Sequence, residues 1–242
     1  METVKATLWI SRTAFHRSVE LLAGNWGIIF APLAYSVVLS VAAAVLAPFW
    51  FVGGIVVTAV AAACASSGLH VIENVVRMGK VNLNDFIKGF AVYLWEILGI
   101  AFILWIPMTL LSRVAYSMPE GPLVLLVVQI LLYVILNPVP ELIYLTRVSG
   151  IALLSASYEF IVENWIEWFL PNVLIAAAAY LLMGLLNGLA TRVPFFLRFF
   201  FVASTFGLFL TFLMIFRAVL FSELNGTTRR GRVFRYRTQA AE

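Results

Sequence analysis

Charge is what this chain has least of. Lys, Arg, Asp and Glu supply 12% of its 242 residues, against about 25% in an ordinary soluble domain. Hydrophobic residues make up 63%, and the mean hydropathy is +1.00. A soluble protein of this length cannot hide so much apolar surface, so lipid must be the solvent for most of it. Cysteine is almost missing as well. Cys64 stands alone in an apolar run, which excludes an intrachain disulfide and leaves the redox compartment open. The two histidines, His16 and His70, lack the neighbours of an HExxH or equivalent ligand set, so no metal, cofactor or enzymatic role is expected. Ser66 and Ser67 beside Gly68 read as small residues for helix packing. Pairing of one of these serines with His70 is the alternative.

The apolar residues gather into six stretches long enough to span a bilayer, which takes about 20 helical residues. They are 28–47, 49–69, 91–111, 123–136, 172–189 and 199–221. No cleaved signal peptide is evident before the first, which reads as retained. The fourth is short and is expected to run on as a kinked helix through Asn137-Pro138-Val139-Pro140, where proline removes backbone donors. A rival reading makes 142–157 a seventh span; Glu141 and Arg147 weigh against it, being costly at bilayer depth. Placing the N-terminus inside puts thirteen of the Lys and Arg residues on the cytoplasmic side and leaves only Arg113, Arg192 and Arg198 outside. The expected protein is therefore a multi-pass component of a cell membrane with both termini cytoplasmic. Residues 1–222 form one transmembrane domain and 223–242 a basic tail.

Shorter amphipathic stretches lead into the spans. In 4–22, Val4, Leu8, Phe15, Val19 and Leu22 share one face and Lys5, Arg12, His16 and Glu20 another. Residues 71–80 repeat the pattern. So do 158–170, with Glu159, Glu163 and Glu167 recurring every four residues. The landmarks keep a period: Trp26, Trp95 and Trp165 are 69 and 70 residues apart, and Arg77, Arg147 and Arg217 are 70 and 70 apart. This predicts an all-α fold of three parallel repeats (8–77, 78–147 and 148–217), each an interfacial helix plus a helical hairpin, related by an axis along the membrane normal. The alternative is regular hairpin spacing combined with the preference of Trp for interfaces and Arg for inner loops.

Leading helix plus hairpin, the Gly24-Asn25-Trp26 start, and the connection from Arg77-Met78-Gly79 to Phe86-Ile87-Lys88-Gly89-Phe90 resemble prokaryotic polytopic families such as the membrane domain associated with glycerophosphoryl diester phosphodiesterases. That resemblance implies a helical membrane bundle and carries no catalytic residue here, since the phosphodiesterase chemistry belongs to a separate domain. Six spans with a surface helix also look like the permease half of ABC exporters. Mitochondrial carriers share threefold hairpins, but their Pro-x-Asp/Glu-x-x-Lys/Arg signature does not recur in each third.

The candidate site residues are polar groups in apolar surroundings. Glu96, early in the third span, is either a proton or cation relay or an interfacial acid near Lys88. Gln129, midway along the fourth, either bonds between helices or lines a polar path. Glu159, Glu163 and Glu167 could meet a divalent cation, the arginine tail or a basic partner, or form a solvated face. In the tail, Arg229, Arg230, Arg232, Arg235 and Arg237, with Phe234 and Tyr236, suit anionic lipid headgroups better than nucleic acid. Few mid-bilayer polar groups point to a membrane-embedded subunit or scaffold docking a protein partner or oligomer at its cytoplasmic face; a transporter or ABC-exporter-like permease subunit is the alternative. The topology has a direct test. A cysteine introduced near residue 235 is expected to react with an impermeant maleimide only after permeabilisation, and labelling in intact cells contradicts cytoplasmic termini.

Overall fold

The computed structural model describes residues 2–189 and 194–239, excepting the side chains of 2–4, 189, 195–196 and 239. The described residues are helical, with no strand. In chain order the helices are α1 (Glu2–Gly24), α2 (Ala31–Leu46), α3 (Trp50–Met78), α4 (Leu83–Val92), α5 (Leu94–Ala115), α6 (Gly121–Ile135), the single turn α7 (Val139–Glu141), α8 (Ile151–Leu189), α9 (Phe195–Leu224) and α10 (Arg229–Gln239). Five segments are long and apolar enough to cross a membrane: Trp26–Met78, Leu83–Ala115, Gly121–Thr146, Ile151–Gly188 and Leu197–Leu224. The first contains both α2 and α3, which pack on one another across the short turn Ala47–Phe49.

Three breaks in helical geometry precede exposed tryptophans. Asn25 has φ −133° and ψ 34°, Tyr93 has φ −118° and ψ 12°, and Asn164 has φ −125° and ψ 15°. Trp26 follows the first directly, Trp165 the third, and Trp95 stands two residues after the second; these indoles are 56–76% exposed. The two asparagines make the same local bond. Asn25 Nδ2 donates to Leu21 O at 2.9 Å and Asn164 Nδ2 to Phe160 O at 3.2 Å, each occupying a carbonyl that the broken helix leaves open. Asn25 also staples the α3–α4 connection, donating to Gly79 O at 2.8 Å and accepting from Val81 N at 3.1 Å.

Two amphipathic stretches fold differently from their sequence reading. Residues 71–80 are no separate surface helix. Nothing interrupts α3 before Gly79, whose φ of 75° ends it in a left-handed cap. Val71, Ile72 and Val75 are buried between helices. The element lying between α3 and α5 is instead α4, with Leu83 and Ile87 exposed. Residues 158–170 are likewise split at Asn164, so Glu167 leaves the face that Glu159 and Glu163 share.

α1 has three sectors. Ala6, Ile10, Ala14 and Ser18 are buried, and the helix packs on α9 and α10. Leu8, Phe15 and Val19 are exposed, as are Lys5, Arg12, His16 and Glu20 on the next sector. Small residues toward a neighbour let backbones approach closely.

The well-packed core lies at one end of the bundle, referred to below as the charged end, where α3 and α9 finish and α5 begins. Trp168, Tyr144, Phe216, Phe221 and Leu153 are fully buried there. Phe160 stacks on Phe221 at 4.7 Å and meets Trp168 edge-on at 5.3 Å, contacts worth about 0.5–1.5 kcal/mol each beyond their burial. Away from that end the apolar helices cover one another little. Only 6–22% of each segment's most apolar stretch is buried by the chain itself. One close approach joins the two regions: a Cβ on Gly207 of α9 would lie 2.0 Å from Ile29 O. Gly207→Ala is expected to lower stability by about 1–3 kcal/mol or more, because backbone must shift. Gly99→Ala, with nothing within 4 Å, is expected not to lower it. Thermal unfolding of both variants in detergent checks the contrast.

Candidate functional site

The chemistry-bearing residues collect at the charged end as three linked ionic centres. The first is built on Glu73, 3% exposed on α3. Tyr93, at the second helical break, donates its hydroxyl proton to Glu73 Oε2. Arg77 Nε lies 3.3 Å from Oε1 and an Arg147 guanidinium nitrogen 3.5 Å from the same oxygen. Arg77 also donates to Tyr144 O at 3.2 Å and Leu145 O at 3.0 Å, tying α3 to the turn after α7. His70 Nδ1 stands 3.5 Å from Glu73 without a hydrogen bond, and its Nε2 is 3.3 Å from Asn74 Nδ2. Nearby, Ser66 Oγ donates to Gly89 O at 2.6 Å and accepts from Tyr93 N at 2.8 Å, while Ser67 Oγ donates to Phe86 O at 2.7 Å. Both serines are therefore engaged in fastening α4 to α3.

The second centre is Glu141 with Arg217. α6 stops at Ile135, just before Asn137-Pro138-Val139-Pro140, and the chain resumes as α7 and a π-type turn, Leu142–Thr146. Proline's missing donors account for that loosening. That turn ends in Arg147 with φ 57°, so 142–157 is not one continuous helix. Glu141, 3% exposed, takes both Arg217 bonds, Nε at 2.7 Å and an Nη at 2.9 Å. Arg217 further donates to Asn137 O at 2.7 Å and stands 5.0 Å above the Trp168 ring, whose Nε1 donates to Asn137 Oδ1 at 2.8 Å. Two parallel N–H···O bonds plus a π face hold this guanidinium in place. The pair closes the foot of a crevice of about 470 Å³ between α6 and α9, walled by Leu104, Leu132, Tyr133 and Leu213.

The third centre holds the tail. Glu167, buried, receives Arg229 through Nε at 2.7 Å and an Nη at 3.0 Å, with Arg232 at 3.7 Å. Arg232 is 3% exposed and donates to Leu224 O, Thr227 O and Thr227 Oγ1. Burial lowers the Arg232 guanidinium from its ordinary pKa while Glu167 opposes that shift. Arg235 pairs with Glu223 at 3.3 Å, and Tyr236 lies 6.3 Å from Trp9 of α1. Arg230 and Phe234 are exposed. Arg229, Arg232 and Arg235 of the tail thus meet carboxylates of the chain itself, and among the described residues Glu167 is the member of the acidic trio with such an ion pair. Glu159 and Glu163 are exposed.

The two remaining candidates lie outside these centres. Glu96 is half-buried in the first turn of α5, where a carboxylate complements the helix dipole. Gln129 is exposed midway along α6. Arg192 lies outside the described residues. No group of three or more His, Cys, Asp or Glu side chains suited to a metal occurs among the described residues. The pair Glu141–Arg217 escapes sequence reasoning because its partners are 76 residues apart, whereas Glu167–Arg229, 62 residues apart, is one of the alternatives that the acidic spacing left open. The available signal is that an acid in so apolar a chain needs a base.

Comparison with protein-family models, curated proteins and solved structures gives no match.

Removing one member of a buried ion pair costs about 3–5 kcal/mol, whereas replacing both by apolar groups is far less damaging. Glu141→Gln is accordingly expected to destabilise strongly. Glu141→Leu combined with Arg217→Met should recover a substantial part of the loss, read as unfolding midpoints in detergent. Equal losses in both would mean that the pair does not act as a unit.

Proposed function

We propose that this chain is a non-enzymatic, membrane-embedded subunit with six spans, whose cytoplasmic face and outward-facing apolar helices dock a protein partner or further copies of itself. In this reading the charged end is cytoplasmic, in line with the Lys and Arg bias. Its three successive units each comprise a leading helix, a hinge and a helical hairpin. The shared backbone angles and i−4 bonds of Asn25 and Asn164 support the unit boundaries, as does Tyr93 one residue ahead of the place the tryptophan spacing suggests. The exposed Leu8, Phe15 and Val19 of α1 suit a helix lying in the membrane surface. The resemblance to phosphodiesterase-associated membrane domains accords with an accessory role.

Gln129 carries the docking reading. Its amide is exposed on α6 among Leu126, Val127 and Ile130. A primary amide facing hydrocarbon lacks any hydrogen-bond partner, and burying it so costs several kcal/mol. A neighbouring transmembrane helix satisfies it. The competing reading, a transporter or exporter-like permease subunit, is favoured by the α6–α9 crevice with Glu141 and Arg217 at its foot. The test separates the two. Solubilised from native membranes, the protein is expected in a complex larger than the 26.9 kDa chain, and Gln129→Leu is expected to weaken that complex by about 1–2 kcal/mol. A monomeric protein that supports solute flux in proteoliposomes would instead favour transport.

A further inference from the structure

A pocket of about 460 Å³ opens at the charged end between α1, α3, α9 and the turn after α7. Its volume lies within the roughly 300–1,000 Å³ of small-molecule sites. The polar lining is Arg17, Arg77, Ser222 and Asn225, over a floor that includes Val219 and Phe221, and no carboxylate lines it. The charge balance around it is positive. Arg77 and Arg147 share the single carboxylate of Glu73, which leaves one positive charge over, and Arg17 adds another with no ion pair among the described residues. The C-terminal ends of α3 and α9 oppose this, each equivalent to about half a negative charge. Their carbonyls are partly occupied, however: Val75 O by Gly79 N, Phe221 O by Asn225 N, and Leu224 O by Arg232. Positive charge therefore prevails.

We infer that this pocket binds a phosphate-bearing anion, gripped by the guanidinium groups of Arg17 and Arg77, with the Asn225 amide as a further donor. The chemistry favours phosphate because the guanidinium of Arg17 matches its oxygens in pairs, while Arg77, with Nε at Glu73 and one Nη at Tyr144 O and Leu145 O, adds its other Nη. Ser222 contributes little as a donor, since its hydroxyl is turned to Ala218 O at 2.9 Å. The anion is either the headgroup of an acidic phospholipid or a soluble phosphate compound, because basic pockets between helices near a membrane surface serve the former and the same donors serve the latter. The site depends on the fold and on neither docking nor transport.

Arg17 is the residue to change, because Arg77 also holds the backbone of Tyr144 and Leu145. Full-length protein in neutral detergent is titrated with phosphatidylglycerol, with phosphatidylcholine as control, by native mass spectrometry. In a separate arm it is titrated with inorganic phosphate by equilibrium dialysis. Saturable one-to-one binding of phosphatidylglycerol over phosphatidylcholine, or of inorganic phosphate, is expected. Arg17→Gln should weaken it about tenfold, the loss of one charge-assisted contact, Arg17→Lys should restore part, and Arg113→Gln, exposed in the last turn of α5 at the opposite end of the bundle, should change it less than twofold. Binding in the phosphatidylglycerol arm alone identifies a headgroup site. Binding of inorganic phosphate that displaces lipid, or occurs without it, identifies a soluble ligand. No saturable binding in either arm, or equal losses for Arg17→Gln and Arg113→Gln, overturns the inference.

Discussion

A guanidinium set about two turns from the end of an apolar helix keeps its charge only if a carboxylate is brought to it. Arg217 imposes that condition on the fold, and Glu141 meets it. The paired bonds place α7 against α9, and the same Nη of Arg217 also reaches Asn137 O. Asn137 in turn receives the indole proton of Trp168, so one ion pair aligns α7, α8 and α9. The aromatic stack of Phe160, Trp168 and Phe221 fills the space beside it. Prolines at 138 and 140 belong to the same solution. A regular helix would carry residue 141 onward along α6, whereas the broken one presents it sideways.

The same logic recurs at Glu73 and Glu167, and together the three carboxylates divide the labour of the charged end. Glu73 joins α3 to the chain around Arg147, Glu141 joins α7 to α9, and Glu167 joins α8 to α10. Each acid is 3% exposed and each has a partner from a different element. Rigidity is therefore concentrated where helices end, while their apolar lengths meet few neighbours of their own. Lipid or other helices must complete them, since apolar surface without cover is unfavourable in water and neutral in hydrocarbon.

Much of this was legible in the residues, though unevenly. Runs such as 123–136 and 199–221 announce membrane helices through hydropathy alone, and the Asn-Trp pairs mark two of the three hinges. The middle hinge is shifted because Tyr93 N finds Ser66 Oγ, a contact from another helix that no local pattern contains. Residues 71–80 misled for a related reason. An apolar stripe has the same period whether it meets lipid or a neighbouring helix, so periodicity cannot distinguish Val75 in a core from Val75 at a membrane surface. The glutamates at 159, 163 and 167 share a spacing but not a role, because Asn164 breaks the helix between them. As for the tail, counting arginines gave the charge but not its destination. Arg229 and Arg232 are held by Glu167, one of the alternatives the sequence offered beside lipid, and only the long-range contact selects it.

The order of these contacts along the chain has a consequence for biosynthesis. Asn25 completes its bonds only with Gly79 and Val81, Glu73 shares its charge with Arg147, Glu141 waits for Arg217, and Glu167 for Arg229. Each of these long-range partners lies downstream, so a ribosome delivers every unsatisfied group before the residue that answers it. As chains emerge from the N-terminus onward, Glu73 has Arg77 within four residues, whereas Glu141 lacks its base until Arg217 is made and Glu167 until Arg229. That debt is cleared only when the last eleven-residue helix, Arg229–Gln239, leaves the exit tunnel. A premature stop after Leu224 would yield every apolar helix and still leave Glu167 without its base.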